Sequence, residues 1–193
     1  MATRCVVGLF AALSVAVLGC KSEPRINWNG KEDFFAVDRS EPTEDGVRLE
    51  FHSLVDAPAD RVYGALADVE HYADFVDGVS HSQVVRTDGN AKIMNITQTV
   101  IGRQSNAQVR WTADPNQKTV TFETLQSDAN YNDGSYRVIS SPDGKRAYVV
   151  SIFQVKEKGA PQNVPIGVLA AATREAFEKA AKSVKQRALT GGK

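Results

Sequence analysis

The stretch VDAPADRVYGALADVEHYADFVDGV, residues 55–79, changes from a strand pattern to a helix pattern within four residues. The strand ends at Asp56-Ala57-Pro58, and proline is favoured in the first turn of a helix because its missing N–H needs no partner there. Apolar residues then recur at helical spacing, at Val62, Ala65, Leu66 and Val69. A second short helix is predicted over residues 71–76, before Asp77-Gly78 turns the chain. The stretch therefore predicts one strand followed by two short helices.

The segments on both sides of this stretch have strand patterns. Residues 47–55 begin with alternating apolar and polar side chains, which is typical of a half-buried strand. Turn-forming residues at 87–90, 114–117, 132–134 and 141–144 separate further runs at 79–86, 92–101, 104–112, 119–125, 135–140 and 146–155. Short connections favour antiparallel neighbours, so we expect a seven-stranded antiparallel sheet. The side chains expected to face its core are Met94, Ile96, Val109, Trp111, Val120, Phe122, Tyr136, Val138, Tyr148, Val150 and Ile152.

A long amphipathic helix is predicted at the C-terminal end, from Pro165 to about Leu189. One stripe is apolar, and it consists of Leu169, Ala172, Ala176, Phe177, Ala180, Val184 and Ala188. At about 1.5 Å per residue the helix would be on the order of 36 Å long, enough to cross a whole sheet. The fold class is therefore α+β, with a curved sheet wrapped on this helix and two short helices after the first strand.

This order of elements resembles the START-like helix-grip superfamily, also called SRPBCC, across nearly all of the chain after residue 46. The opening stretch is similar to the family's strand exit and paired short helices, with Phe75 where the family usually has tryptophan. VPIGVLAAATREAFEKAAKSVKQRA, residues 164–188, is similar to its proline-led grip helix. The family includes polyketide cyclases, coenzyme Q-binding proteins and lipid-transfer domains. The resemblance thus implies a helix-grip domain over residues 46–190.

A helix laid across a curved sheet leaves a space, and what fills this space decides the function. Small residues on the helix cannot reach far into the space, so we expect a cavity that holds a lipid, a quinone or a sterol-like molecule. Its expected lining is Phe75, Met94, Trp111, Phe122, Tyr136, Tyr148, Ala172 and Ala176. The alternative is that these side chains pack a filled core, as in a scaffold lipoprotein that binds nothing small. A polyketide cyclase or aromatase-like enzyme is the second alternative.

The N-terminal segment has the pattern of an exported protein. Residues 1–19 read as a signal peptide, since an apolar run from Cys5 to Leu18 is too short to span a bilayer of roughly 30 Å. Val17-Leu18-Gly19-Cys20 resembles the bacterial lipobox, which implies acylation of Cys20; the alternative is a plain signal peptide with an incidental cysteine. Lys21 stands where lipoproteins retained in the inner membrane have aspartate, so this resemblance implies the outer membrane, facing the periplasm. Residues 20–45 are expected to form a lipidated tether that keeps the cavity close to the bilayer.

Two aromatic patches interrupt this tether, Trp28 and Phe34-Phe35. Docking on the domain and a lid over the binding site are both open interpretations of these residues.

Charge and motifs exclude several other functions. The 23 basic and 23 acidic side chains cancel, so nothing favours binding of nucleic acid. The sequence has no glycine-rich phosphate loop, nucleophile elbow or paired-cysteine zinc site, and we expect no catalytic residue, cofactor or metal. His71 lies among Asp68, Glu70 and Asp74, but a solvated helix junction explains this group better than a cation site. We expect a monomer whose partners are a hydrophobic small molecule and, through acylated Cys20, a membrane.

Overall fold

The computed structural model describes residues 24–100, 102–156 and 165–191. The predicted signal peptide and Cys20 lie outside these residues. In chain order the elements are β1 (Asp33–Thr43), β2 (Gly46–Val55), α1 (Ala59–Ala67), a 3-10 turn (Val69–His71), α2 (Tyr72–Phe75), β3 (Val79–Asp88), β4 (Ala91–Val100), β5 (Arg103–Asp114), β6 (Thr119–Ser127), β7 (Tyr131–Ser140), β8 (Ala147–Lys156) and α3 (Ile166–Thr190).

The strands form one antiparallel sheet in the order β1-β2-β8-β7-β6-β5-β4-β3. From β3 to β8 each strand pairs with the next one along the chain, as the hairpin pattern predicts. β2 pairs with β8, which brings α1 and α2 to the side of the sheet where α3 lies. This confirms the α+β helix-grip fold, although the sheet has eight strands and not seven. We call the face of the sheet that packs on α3 the helix-side face, and the opposite one the outer face.

The additional strand is β1, which occupies part of the predicted tether. It forms a hairpin with β2, with Thr43 opposite Gly46 and Asp33 opposite Leu54. Its sequence resembles a linker because an edge strand exposes much of its surface and accepts charged side chains and proline. Phe35 nevertheless packs into the core, with its ring centroid 5.7 Å from that of Phe177. The segment 33–43 is thus part of the domain.

The face that β8 turns towards α3 also differs from the expectation. Val149, Ser151 and Phe153 belong to the helix-side face, whereas Tyr148 and Val150 pack on the outer face. The prediction that Tyr148, Val150 and Ile152 point into the core is therefore wrong. β8 is apolar on both faces, so alternation did not determine which face is inward. The outer face is apolar here because Ile26 and Trp28, from the segment before β1, cover it.

Helices α1 and α3 begin where the sequence predicts, and α3 also ends there, whereas α1 ends at Ala67 and Val69, which continues the predicted helical spacing, lies in the 3-10 turn. Pro58 and Pro165 are their N-caps, and α3 ends at Gly191, whose φ of 68° is the left-handed conformation that glycine adopts without strain. Leu169, Phe177 and Val184 are its buried side chains on the sheet side, together with Ala188. Among the described residues, no helix combines the length and apolar character needed to cross a membrane.

Candidate functional site

A cavity of about 170 Å³ lies between α3 and the helix-side face and is partly open to solvent. We call it the main cavity. Its helix wall is formed by Thr173, Ala176, Phe177 and Ala180. Two of these four residues are alanines, whose side chains leave the space that larger residues would fill. The gap predicted from the small residues of this helix is therefore present.

The sheet side of the main cavity is an aromatic wall. Trp111 of β5 and Phe122 of β6 are register partners, and their rings stack with centroids 5.2 Å apart and an interplanar angle of 16°. The ring centroid of Tyr136 on β7 lies 5.8 Å from that of Phe122, and the ring centroid of Phe153 on β8 lies 5.6 Å from that of Tyr136. Such flat apolar surfaces favour ring-shaped ligands, because offset-stacked and edge-to-face ring pairs are both favourable.

One end of the main cavity is polar, where β6 and β7 separate. The backbone ladder between them stops at the pair Phe122 and Gly134. Beyond it, Thr124 Oγ1 donates to the Asn132 carbonyl oxygen at 2.8 Å and accepts from the Asn132 N–H at 3.0 Å. Asp133 Oδ1 accepts from the Thr124 N–H at 2.8 Å. Side chains thus replace backbone pairing here, and Thr124 and Asn132 border the cavity.

Three buried polar atoms on residues of the main cavity have no hydrogen-bond partner among the described residues: Trp111 Nε1, Asn130 Oδ1 and Asn132 Oδ1. A buried donor or acceptor without a partner costs about 1–3 kcal/mol, so native structures contain few of them. All three atoms belong to residues that border the main cavity.

The main cavity is electrically neutral in its described lining, which includes no Asp, Glu, Lys, Arg or His. Burial raises the pKa of the Tyr136 phenol, which therefore stays protonated at neutral pH. Burial, with smaller contributions from Tyr136 and Asp68, raises the pKa of Tyr72 well above its ordinary value. The Tyr72 hydroxyl donates to the Leu66 carbonyl oxygen at 2.7 Å. The cavity offers hydrogen-bonding groups and no side chain that takes up a proton near neutral pH.

A smaller cavity of about 50 Å³, the inner cavity, lies on the α1 side. Ser151 of β8 borders it, and within the described part of the chain its fully buried hydroxyl has no hydrogen-bond partner. The two cavities share Tyr72, Val76, Tyr136, Phe177 and Ala180 in their walls. These five residues therefore lie between the inner cavity and the main one.

The structure places four of the eight predicted lining residues on the wall of the main cavity: Trp111, Phe122, Tyr136 and Ala176. Met94 is fully buried in the core, and neither it nor Ala172 borders either cavity. Phe75 packs edge-on against Tyr72 and lies under the Arg187 guanidinium at 5.1 Å.

The prediction that Tyr148 lines the cavity is wrong, because Tyr148 lies on the outer face, with its ring centroid 6.3 Å from that of Trp28. Its hydroxyl is 3.0 Å from His52 Nδ1, and His52 Nε2 is 2.8 Å from Glu50 Oε1. Two polar residues of the main cavity, Asn130 and Asn132, were not predicted. The sequence NDG at 132–134 has the composition of a turn, so this segment was not assigned to the cavity.

Two of the three acidic residues around His71, Asp68 and Glu70, are engaged in ion pairs. Asp68 accepts from His71 at 2.5 Å and from Arg187 at 2.8 Å, and Glu70 pairs with Lys92 at 2.8 Å. Within the described ranges, no group of three or more His, Cys, Asp or Glu side chains could hold a metal ion.

Comparison with known proteins identifies the family. The profile of "Polyketide cyclase / dehydrase and lipid transport" matches residues 55–182. The chain therefore belongs to this family, whose fold is one that binds hydrophobic ligands. Among curated proteins, no sequence matches the chain.

Solved structures with the same fold include both enzymes and lipid-transfer proteins. The Zhui aromatase/cyclase from Streptomyces sp. R1128 is 20% identical with a TM-score of 0.66, and the match covers 76% of this chain and 95% of that one. A START superfamily protein from Mycobacterium smegmatis is 14% identical with a TM-score of 0.65, with 74% and 97% covered. A STAR-related lipid transfer protein from Xanthomonas axonopodis is 13% identical with a TM-score of 0.62, with 77% and 90% covered. At these identities the likeness concerns the fold alone.

Proposed function

We propose that this protein binds a hydrophobic small molecule in the main cavity. The observation that carries the proposal is the cavity itself: about 170 Å³, partly open, with an aromatic wall and with buried polar atoms that find no partner in the ranges that the structure describes. A filled core, as a scaffold lipoprotein would have, leaves no such space between α3 and the sheet.

The size of the main cavity limits what it can enclose. Pockets for drug-sized ligands measure about 300–1,000 Å³, whereas an engineered cavity of about 150 Å³ holds benzene. At about 170 Å³ the main cavity takes one ring or the end of a chain. A quinone, a sterol-like molecule or a lipid would therefore place one part inside, while the remainder extends through the opening.

Catalysis is the alternative function, and the likeness to the Zhui aromatase/cyclase favours it. The described lining offers neutral hydrogen-bond donors and acceptors, which suit retention of a ligand better than proton transfer. Binding for storage or transport therefore explains the cavity better, because it does not require a proton-transfer group in the lining.

The test is extraction of the ligand from the full chain. The organic extract of the purified wild-type chain is expected to contain an apolar compound, detected by mass spectrometry at close to one equivalent. Ala176→Phe, which places a ring in the helix wall of the main cavity, should remove it. Ala171→Phe is the matched control, because Ala171 is exposed on the same helix and borders neither cavity. Equal amounts in the two variants, or no compound in the wild-type extract, would contradict binding in the cavity.

We further propose that the chain is a lipoprotein anchored through Cys20 in the outer membrane, on the periplasmic side. The support is the sequence Val17-Leu18-Gly19-Cys20 and its position at the end of an apolar run. Two or more acyl chains, at about 0.8 kcal/mol per buried methylene, would anchor the protein stably. Cys20→Ser is expected to abolish incorporation of labelled palmitate, and labelling that persists would show that Cys20 is not the acylated residue.

A further inference from the structure

The polar atoms of the main cavity specify more than a hydrophobic ligand. The indole N–H of Trp111, a residue only 7% exposed, can donate a hydrogen bond and cannot accept one. Asn130 Oδ1 and Asn132 Oδ1 are acceptors. A molecule that satisfies all three atoms must therefore carry both an acceptor and a donor.

The surroundings of the polar end disfavour negative charge. Asp133 accepts a hydrogen bond from the backbone of Thr124, which borders the main cavity, and Asp128 lies two residues before Asn130. Asp128 accepts from the Asn106 N–H and side chain, both at 2.9 Å. In the part of the chain that the structure describes, neither aspartate forms an ion pair. An anionic group enclosed here would lose its hydration without a cation in return, since the described lining of the main cavity includes no Lys, Arg or His.

The aromatic wall determines the remainder of the ligand. Trp111 and Phe122 present stacked rings, and Tyr136 adds a third ring close to them. A ring that packs against them gains contact beyond its buried area. The volume of about 170 Å³ limits the enclosed part to one substituted ring.

We infer that the main cavity takes an uncharged ring compound bearing a hydroxyl or N–H donor and a separate carbonyl or ether oxygen, and rejects carboxylates of the same size. This inference rests on the proposed function, because it assigns the chemistry of the ligand that the cavity binds. It places the carboxylate of a fatty acid and phosphorylated head groups outside the enclosed part of the site.

Three probes of similar size test this selectivity at pH 7: 4-methoxyphenol, which has a donor and acceptors, 4-ethyltoluene, which has neither, and anionic 4-hydroxybenzoate. The full chain, freed of co-purified ligand, is titrated by isothermal calorimetry in detergent, with a blank of detergent alone. We expect 4-methoxyphenol to bind about tenfold more tightly than either of the other two, since a tenfold change in affinity corresponds to about 1.4 kcal/mol.

Two variants locate the selectivity. Trp111→Phe keeps a ring and removes the N–H, and Asn132→Leu removes the acceptor; each should reduce the preference for 4-methoxyphenol over 4-ethyltoluene about threefold to tenfold. Asn95→Leu is the matched control, because Asn95 is exposed on β4 and does not border the main cavity.

The outcomes separate the two proposals. Equal affinities for the three probes, or tighter binding of 4-hydroxybenzoate, would overturn the inference and leave the main cavity as a binding site. Failure of the wild-type chain to bind any of the three would overturn the proposed function as well. Because the comparison of probes uses the wild-type chain, it holds even where a variant does not fold.

Discussion

Replacement of Gly134 by alanine distinguishes a close-packed strand from the turn that its sequence suggests. Gly134 lies within β7, and a methyl group there would sit 2.4 Å from the Ile152 carbonyl oxygen, 2.7 Å from Phe122 Cζ and 2.9 Å from Phe153 Cδ1. Ordinary carbon contacts begin near 3.5 Å, so the backbone of β8 and two rings of the cavity wall would have to move. Overpacking of this kind costs about 1–3 kcal/mol, and the backbone contact places Gly134→Ala at or above the top of that range.

Urea unfolding of the full chain, followed by far-ultraviolet circular dichroism, measures this cost. Gly144→Ala is the first control, since Gly144 has a φ of 71° and no atom within 4 Å of the added methyl group; a loss of about 1 kcal/mol is expected. Gly64→Ala in α1 also has free space and should stabilise the protein by about 0.5–1 kcal/mol. If Gly134→Ala unfolds at the same urea concentration as Gly144→Ala, the argument from close packing is refuted.

Two further predictions concern the core and the outer face. Phe177→Ala should destabilise the protein by about 3–5 kcal/mol and should admit a longer ligand, because it opens the wall between the two cavities. Phe75 borders neither cavity, so Phe75→Ala should leave the ligand unchanged. Urea unfolding measures the stability of both variants, and mass spectrometry of the organic extract identifies their ligands. Burial tends to raise the pKa of Glu50, but the hydrogen bond and charge of His52, with help from Arg48, hold it below its ordinary 4.5. Ionised Glu50 therefore adds stability above pH 4.5, and this stability is lost as the pH falls through the lowered pKa of Glu50. Glu50→Gln should flatten the acid side of a plot of unfolding free energy against pH. An unchanged slope would show that Glu50 does not contribute.

The order of elements was predictable because each signal is local. The residues 55–79 contain the strand exit, the proline and the helical spacing within one stretch, and the long C-terminal helix has its own periodicity and glycine stop. The strands β3 to β6 and β8 lie within a few residues of their predicted positions, since short turns fix neighbouring strands without information from distant parts of the chain.

The misassigned elements depend on contacts that are distant in sequence. β1 is an edge strand whose charged residues read as a linker, and its role is visible only once Phe35 packs on Phe51 and Phe177. Tyr148 could not be assigned to a face because Trp28, far away in sequence, covers the outer face of β8. In both cases the deciding contact joins the segment before β2 to the rest of the domain.

The candidate site was predicted in its apolar half and missed in its polar half. Trp111, Phe122 and Tyr136 lie on three neighbouring strands. Within each strand the alternation of apolar and polar residues predicted that these side chains point to the same face of the sheet. Asn130 and Asn132 border the main cavity because β6 and β7 separate beyond the pair Phe122 and Gly134, on the side of β7 that precedes Gly134 in the chain. There the Thr124 hydroxyl, and not the backbone, bonds to the Asn132 carbonyl oxygen. Sequence alone does not show that a strand pair opens, since the same NDG composition is typical of a tight turn.

The position of the N-terminal segment changes how the proposed anchor relates to the main cavity. Arg146 Nη1 donates to the carbonyl oxygens of Trp28 and Gly30, at 2.5 and 2.8 Å, which fixes this segment where β8 begins. The polar end of the cavity lies where β8 ends, since Asn132 is the register partner of Val155, and at about 3.3 Å per residue the two points are roughly 30 Å apart.

Ile26, which packs on the outer face, is the sixth residue after Cys20, so at about 3.6 Å per residue the proposed anchor lies within about 22 Å of it. In the proposed lipoprotein the residues after Cys20 therefore act as a short strap and not as a long tether. In this proposal the polar end of the main cavity lies at the end of β8 opposite to the segment that leads to the anchor, because Asn132 pairs with Val155 whereas Arg146 holds the residues before β1.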